Sequence, residues 1–148
     1  MNAYINIFIL SLMPIIECRG AIPYGIFNGI DLISVVIISF FGNILPVPFI
    51  LLLMKKIEDI IIKQNNILKK IFIKYIENLR KRSKKTIEKY GFYGLIIFIA
   101  IPLPGTGAWT GSIVAHIFGM KIKYSILAIF IGVAIAVFIT AITTIILL

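Results

Sequence analysis

Uncharged stretches cover 3–16, 32–54, 91–120 and 124–148, and formal charges gather almost wholly between them. The second and fourth, 23 and 25 residues long, each predict a simple transmembrane helix, because a hydrocarbon core of about 30 Å takes about 20 apolar residues in helical form. The first and third are interrupted. Fourteen mostly apolar residues lead to Pro14, then to Glu17-Cys18-Arg19-Gly20, Pro23, Gly25 and Gly29. In the third, an apolar limb reaches Pro102-Leu103-Pro104-Gly105-Thr106-Gly107, and Gly111, His116 and Gly119 follow before Lys121. Each reads as two short limbs around a helix-breaking centre, with neither limb long enough to cross a bilayer. Re-entrant hairpins over 3–30 and 91–120 are the expectation, their tips buried in protein or facing a shared cavity, since irregular backbone at membrane depth is tolerated only there.

An offset of 90 residues carries Pro14 onto Pro104, Gly29 onto Gly119, Gly42 onto Gly132 and Asp31 onto Lys121. Two repeats follow, 1–54 and 91–148, each a hairpin plus one spanning helix. An odd number of crossings then separates them, which predicts inverted topology, the repeat logic of secondary transporters. The expected fold class is therefore an all-α integral membrane protein built from two inverted repeats.

Composition sharpens the picture. Of 148 residues, 60% are hydrophobic and 14% charged, and the mean hydropathy is +1.07. That excludes an ordinary soluble domain. Of the net charge of +9, residues 55–89 hold +8, from twelve basic and four acidic side chains. The segment 55–90, with Ile57, Ile60, Ile61, Leu68, Ile71, Phe72, Tyr75, Ile76 and Leu79 near helical spacing among its lysines, reads as an amphipathic helical arm on anionic lipid headgroups. The positive-inside rule puts it in the cytoplasm and both termini outside, in a multi-pass cell-membrane protein. Nucleic acid is not an expected partner, since the arm's other face is apolar. Cys18 is the sole cysteine, so no disulfide frame exists, and no cofactor is expected. Residues 1–4 carry no positive n-region, so Met1 is expected in the mature chain.

Glu17 and Arg19 are the only formal charges inside the expected hydrocarbon region. Such groups are expensive there, and function is the default reading. Glu17 would carry a proton and Arg19, with its planar fork, would meet an anionic group such as phosphate; the bland alternative is an ion pair pinning the hairpin tip. The Gly20 and Pro23 break is expected to let both side chains face one cavity. Opposite them, Thr106, Gly107, Trp109 and Thr110 lie where freed backbone N–H groups at the head of a helical limb can receive an anion. Asn43, just before Pro46 and Pro48, is a polar point at mid-depth, while Ala128, Gly132 and Ala136 form a packing stripe. Ser112 and His116 are four apart, but no third acid orients them, so an enzyme is not expected.

The stretches Glu17-Cys-Arg-Gly-Ala-Ile-Pro-Tyr-Gly25 and Ile101-Pro-Leu-Pro-Gly-Thr-Gly-Ala-Trp-Thr-Gly111 resemble the two signature segments of the small multidrug export family, itself similar to the DedA (VTT-domain) superfamily. The resemblance implies two re-entrant hairpins packed on transmembrane helices, and transport of lipid-linked phosphates or phospholipids with Glu17 and Arg19 as functional groups. The second signature lacks the arginine or acid of many DedA proteins. The resulting expectation is a transporter of an amphipathic or anionic substrate, proton-coupled through Glu17 and working as a homo-oligomer. The rivals are a drug exporter, against which the fixed Arg19 cation argues, and a membrane scaffold.

Overall fold

The computed structural model describes residues 2–103 and 105–147, so Pro104 of the offset pair lies outside the described residues. Seven helices follow in order: α1 Ala3–Leu12, α2 Glu17–Phe27, α3 Leu32–Ile44, α4 Val47–Lys63, α5 Ile67–Ala100, α6 Ala108–Ile117 and α7 Ile122–Leu147. Asn2, Asp31 and Asn66 start α1, α3 and α5 by accepting backbone N–H bonds from Tyr4, Ser34 and Lys69, the usual role of Asn and Asp at a helix start. The bond from Ser34 holds the Asp31 carboxyl below the ordinary carboxylate range.

Among the described residues, two helices are long and apolar enough to cross a membrane, Leu32–Lys63 and Ile122–Leu147. The first joins α3 and α4 through Leu45 and Pro46, which both keep helical dihedrals. Pro46 and Pro48 bring no N–H, so the ladder lapses there without ending the rod. The helix expected over 32–54 thus runs on to Lys63, taking the first part of the expected linker with it. The remaining apolar segments are short: α1, α2 and α6 have 10, 11 and 10 residues, or about 15 Å each at 1.5 Å per residue, half a hydrocarbon core.

The C-terminal ends of α2 and α6 are built alike. At the end of α2, Ile30 N–H bonds Gly25 O at 3.1 Å and Gly29 N–H bonds Ile26 O at 3.0 Å; at the end of α6, Met120 N–H bonds Ala115 O and Gly119 N–H bonds His116 O, both at 3.0 Å. Gly29 and Gly119 have φ of 73° and 63°, the left-handed C′ glycine of a Schellman stop. Close packing repeats as well. A Cβ on Gly42 would strike Ser11 of α1, and one on Gly132 would stand 2.8 Å from Ile99 Cβ of α5. The stripe Ala128, Gly132 and Ala136 is buried on α7, where it admits that approach.

Two expectations need correction. Pro23 does not break the first segment; it lies inside α2, and the break falls at residues 13–16, around Pro14. The arm, expected as an amphipathic helix over 55–90, is divided between α4 and α5 at residues 64–66. Its helix α5 continues to Ala100 across a non-helical Gly91, with φ 52° and ψ −118°. The corner brings Thr86 backbone against Gly94, whose added Cβ would meet Thr86 O at 2.5 Å. Leu79, Ser83 and Ile87, spaced one turn apart, are buried on the inward face of α5. Leu79 and Ile87 are thus covered by the protein itself, while Ile57, Ile60, Leu68, Ile71 and Tyr75 of the arm stay exposed.

Candidate functional site

The site starts from the broken backbone at 101–107. There α5 ends and α6 begins, which leaves carbonyls without partners on one side and N–H groups on the other. The N-cap of α6 is Gly107, which has no side chain to offer. In hydrocarbon no water would satisfy these groups. The first half of the chain supplies what is missing.

Arg19 takes the carbonyl end. Its Nη2 donates to Ile101 O at 3.1 Å, Ile99 O at 3.3 Å and Thr106 Oγ1 at 3.0 Å, and its Nη1 lies 3.4 Å from Glu17 Oε2. Glu17 takes the other end: its Oε1 accepts from Trp109 N–H at 3.4 Å, and Ala108 N–H also points to the carboxylate. A carboxylate at a helix N-terminus and a guanidinium at a helix C-terminus both complement the helix dipole. Glu17 is 3% exposed and the Arg19 side chain 18%, so one end of the second break is capped across the molecule by a buried charge and the other by a half-buried one.

Sequence accounts for the fit. A Cβ at position 107 would overlap the Glu17 carboxylate, so glycine is required by the close approach. Glu17 itself has φ 51°, the sole non-glycine residue with positive φ among those described. Such a backbone costs about 1 kcal/mol or more and collects at functional positions. That turn at the head of α2, not Gly20 or Pro23, brings the two charged side chains together. Thr106 Oγ1 also lies 2.7 Å from Ile101 O and 2.8 Å from Leu103 O, tying the loop to itself.

The offset recurs at the site. Trp109, 90 residues after Arg19, donates its indole N–H to Leu12 O at 3.1 Å at the end of α1, as Arg19 donates to Ile99 O and Ile101 O at the end of α5. Thr110 turns back to Gly107 O at 3.1 Å, one turn along α6. Asn43 is buried behind the pair, beside the Cys18 thiol and out of contact with Glu17 in the bonds described. Ser112 bonds Ala108 O, while His116 Nε2 lies 2.6 Å from Glu58 Oε2, so those two residues do not face each other as nucleophile and base.

Trp109 also lines an apolar groove of about 680 Å³, walled by Leu12, Phe49, Leu53, Phe72 and Ile113 among others. That volume suits a drug-sized molecule. Phe72 comes from the arm, and so do two more neighbours of the site. Tyr75 is close enough to Glu17 and Arg82 to feel both charges, and Arg82 reaches the break, 3.4 Å from where a Cβ on Gly105 would stand. The sequence reading placed the arm apart from the site. The one-turn spacing of Leu79, Ser83 and Ile87 was the available signal, since an inward face must cover something.

The chain matches the family described as "Putative small multi-drug export protein" over residues 17–139. No curated protein and no solved structure matches it. The likeness to the wider DedA superfamily rests on the two sequence motifs alone.

Proposed function

The chain belongs to that small multi-drug export family, whose match spans well over half of it, and on this premise we propose a multi-pass membrane transporter of amphipathic small molecules controlled by protonation of Glu17. The reading takes the two broken segments as re-entrant, entering from opposite sides in two inverted repeats. The shared C-terminal stops at Gly29 and Gly119 and the crossed capping by Arg19 and Trp109 support it.

The observation that carries the proposal is the position of Glu17. Its carboxylate is the joint between the halves, held by Arg19 on its own helix and by the first N–H groups of α6. A proton on Glu17 removes the charge on which both contacts depend. The second break then loses its clamp, and Trp109, which shares that joint and walls the groove, is freed to move. Proton uptake on one side and release on the other would thereby alternate access to cargo in the groove. The arm, with its lysines outward, rests against anionic headgroups of the cytoplasmic leaflet, and the assembly is a homo-oligomer.

Amphipathic cargo is favoured over lipid-linked phosphate because both Nη groups of Arg19 are engaged, by Ile99 O, Ile101 O, Thr106 and Glu17, which leaves only the buried Nε open. The Arg19–Glu17 pair carries no net charge, and the groove beside it is walled by apolar side chains that suit the ring system of a cationic dye. The test is purified protein in liposomes under an imposed pH gradient. Ethidium should move with the gradient, Glu17→Gln should abolish the gradient response, and Arg19→Ala should lose transport. Gradient-driven movement that survives Glu17→Gln sinks the proposal, and selective movement of a fluorescent phosphatidylglycerol would transfer the site to the lipid-phosphate reading.

A further inference from the structure

Among the described residues, four buried side-chain polar atoms lack a hydrogen-bond partner: Asn6 Oδ1, Arg19 Nε, Ser39 Oγ and Asn43 Oδ1. All four belong to α1, α2 and α3. Ser39 and Asn43 are 0% and 1% exposed. A buried polar atom without a partner is costly, and in native proteins it generally marks bound water or an ion.

Their order along the molecule can be traced. A Cβ on Gly25 would meet Ile7 of α1 and Val35 of α3, whereas one on Gly42 would meet Phe8 and Ser11 of α1. The two helices therefore advance side by side, with 7 near 35 and 11 near 42. Asn6, whose Nδ2 donates to Tyr24 Oη at 2.8 Å, stands at the outer end. Ser39 comes next, and Asn43 follows one turn further on the same buried face of α3. Asn43 lies beside Cys18, which neighbours Glu17 and Arg19 in sequence and feels both charges.

We infer that a file of bound water runs from the Asn6 and Tyr24 end of α1 and α2 past Ser39 and Asn43 to Arg19 Nε, and delivers protons to Glu17. The inference rests on the proton coupling proposed above. The unpaired atoms suit such a file: two amide oxygens accept, the guanidinium Nε donates, and the Ser39 hydroxyl does either, so both directions of a water hydrogen bond are offered along it. Besides Arg19, the charged or titratable groups around Glu17 include Cys18 on α2 and Tyr75 and Arg82 on the arm. None of these belongs to the file's row on α3.

A water path and a structural polar cluster respond oppositely to apolar replacement. Ser39→Ala and Asn43→Leu each remove an unpaired polar atom, so thermal stability should stay level or rise, while gradient-driven ethidium transport should slow tenfold or more. Ethidium binding, read as quenching of Trp109, should not change. Transport at the wild-type rate would overturn the path, and so would stability falling in step with transport. If Asn43→Leu does not fold, hydroxyl-radical footprinting of the wild-type protein decides. Cys18, 2% exposed, should be modified at a rate typical of side chains touching bound water, and an inert Cys18 would overturn the inference. Footprinting needs no transport, so a failure of the water file and a failure of the transport reading remain distinguishable.

Discussion

Gly107→Ala is the smallest change that attacks the joint. The new Cβ would occupy the space of the Glu17 carboxylate, which must leave the head of α6 because the Gly107 backbone is fixed by its own bond to Gly111 N–H at 2.8 Å. Loss of a helix cap costs about 1 kcal/mol, and loss of a buried charge at a helix N-terminus costs up to about 2 kcal/mol more. The sum, about 2 to 3 kcal/mol, lowers the melting temperature by about 5 to 10 °C for a chain of this size. Unfolding in detergent followed by Trp109 fluorescence measures it directly, since Trp109 is the sole tryptophan. The double variant Glu17→Ala/Gly107→Ala carries no clash, so it should be no less stable than Glu17→Ala alone. Wild-type stability in Gly107→Ala, or strictly additive losses in the double variant, would refute the reasoning.

Other consequences follow from single contacts. Arg19→Lys keeps the charge but cannot span Ile99 O, Ile101 O and Thr106 together, so it should cost about 1.5 to 3 kcal/mol in chemical denaturation; wild-type stability would show that one contact suffices. Gly42→Ala and Gly132→Ala overfill the α1–α3 and α5–α7 crossings and should each lose about 1 to 3 kcal/mol, measured as a fall in melting temperature of similar size in the two variants. Glu58 and His116 are 37% and 23% exposed, so a double-mutant cycle between Glu58→Gln and His116→Gln should give a coupling below about 1 kcal/mol that shrinks with added salt.

The apolar runs were legible from charge placement alone, and the two interrupted ones from their prolines and glycines. The register of the breaks was harder. Pro23 looked like a breaker by type, but a proline inside a packed helix forfeits one bond that neighbours can make up, and the turn fell instead at Met13 to Ile16. The residues of the site were visible because a lone acid and a lone base in apolar sequence are conspicuous. Their partners were not, because Ile99 O, Ile101 O and the Trp109 amide are backbone groups that no residue type announces. The position of the arm escaped notice for a related reason: its lysines mark the outward face, whereas Arg82 and Phe72 reach the site only once Gly91 turns the corner.

The depth of Trp109 in the bilayer tests the central claim most directly. Its fluorescence can be read in liposomes whose lipids carry bromine either near the headgroup or deep in the acyl chains. The account predicts the strongest quenching by deep bromines and little by aqueous iodide. Quenching strongest at the headgroup, or by iodide, would contradict it.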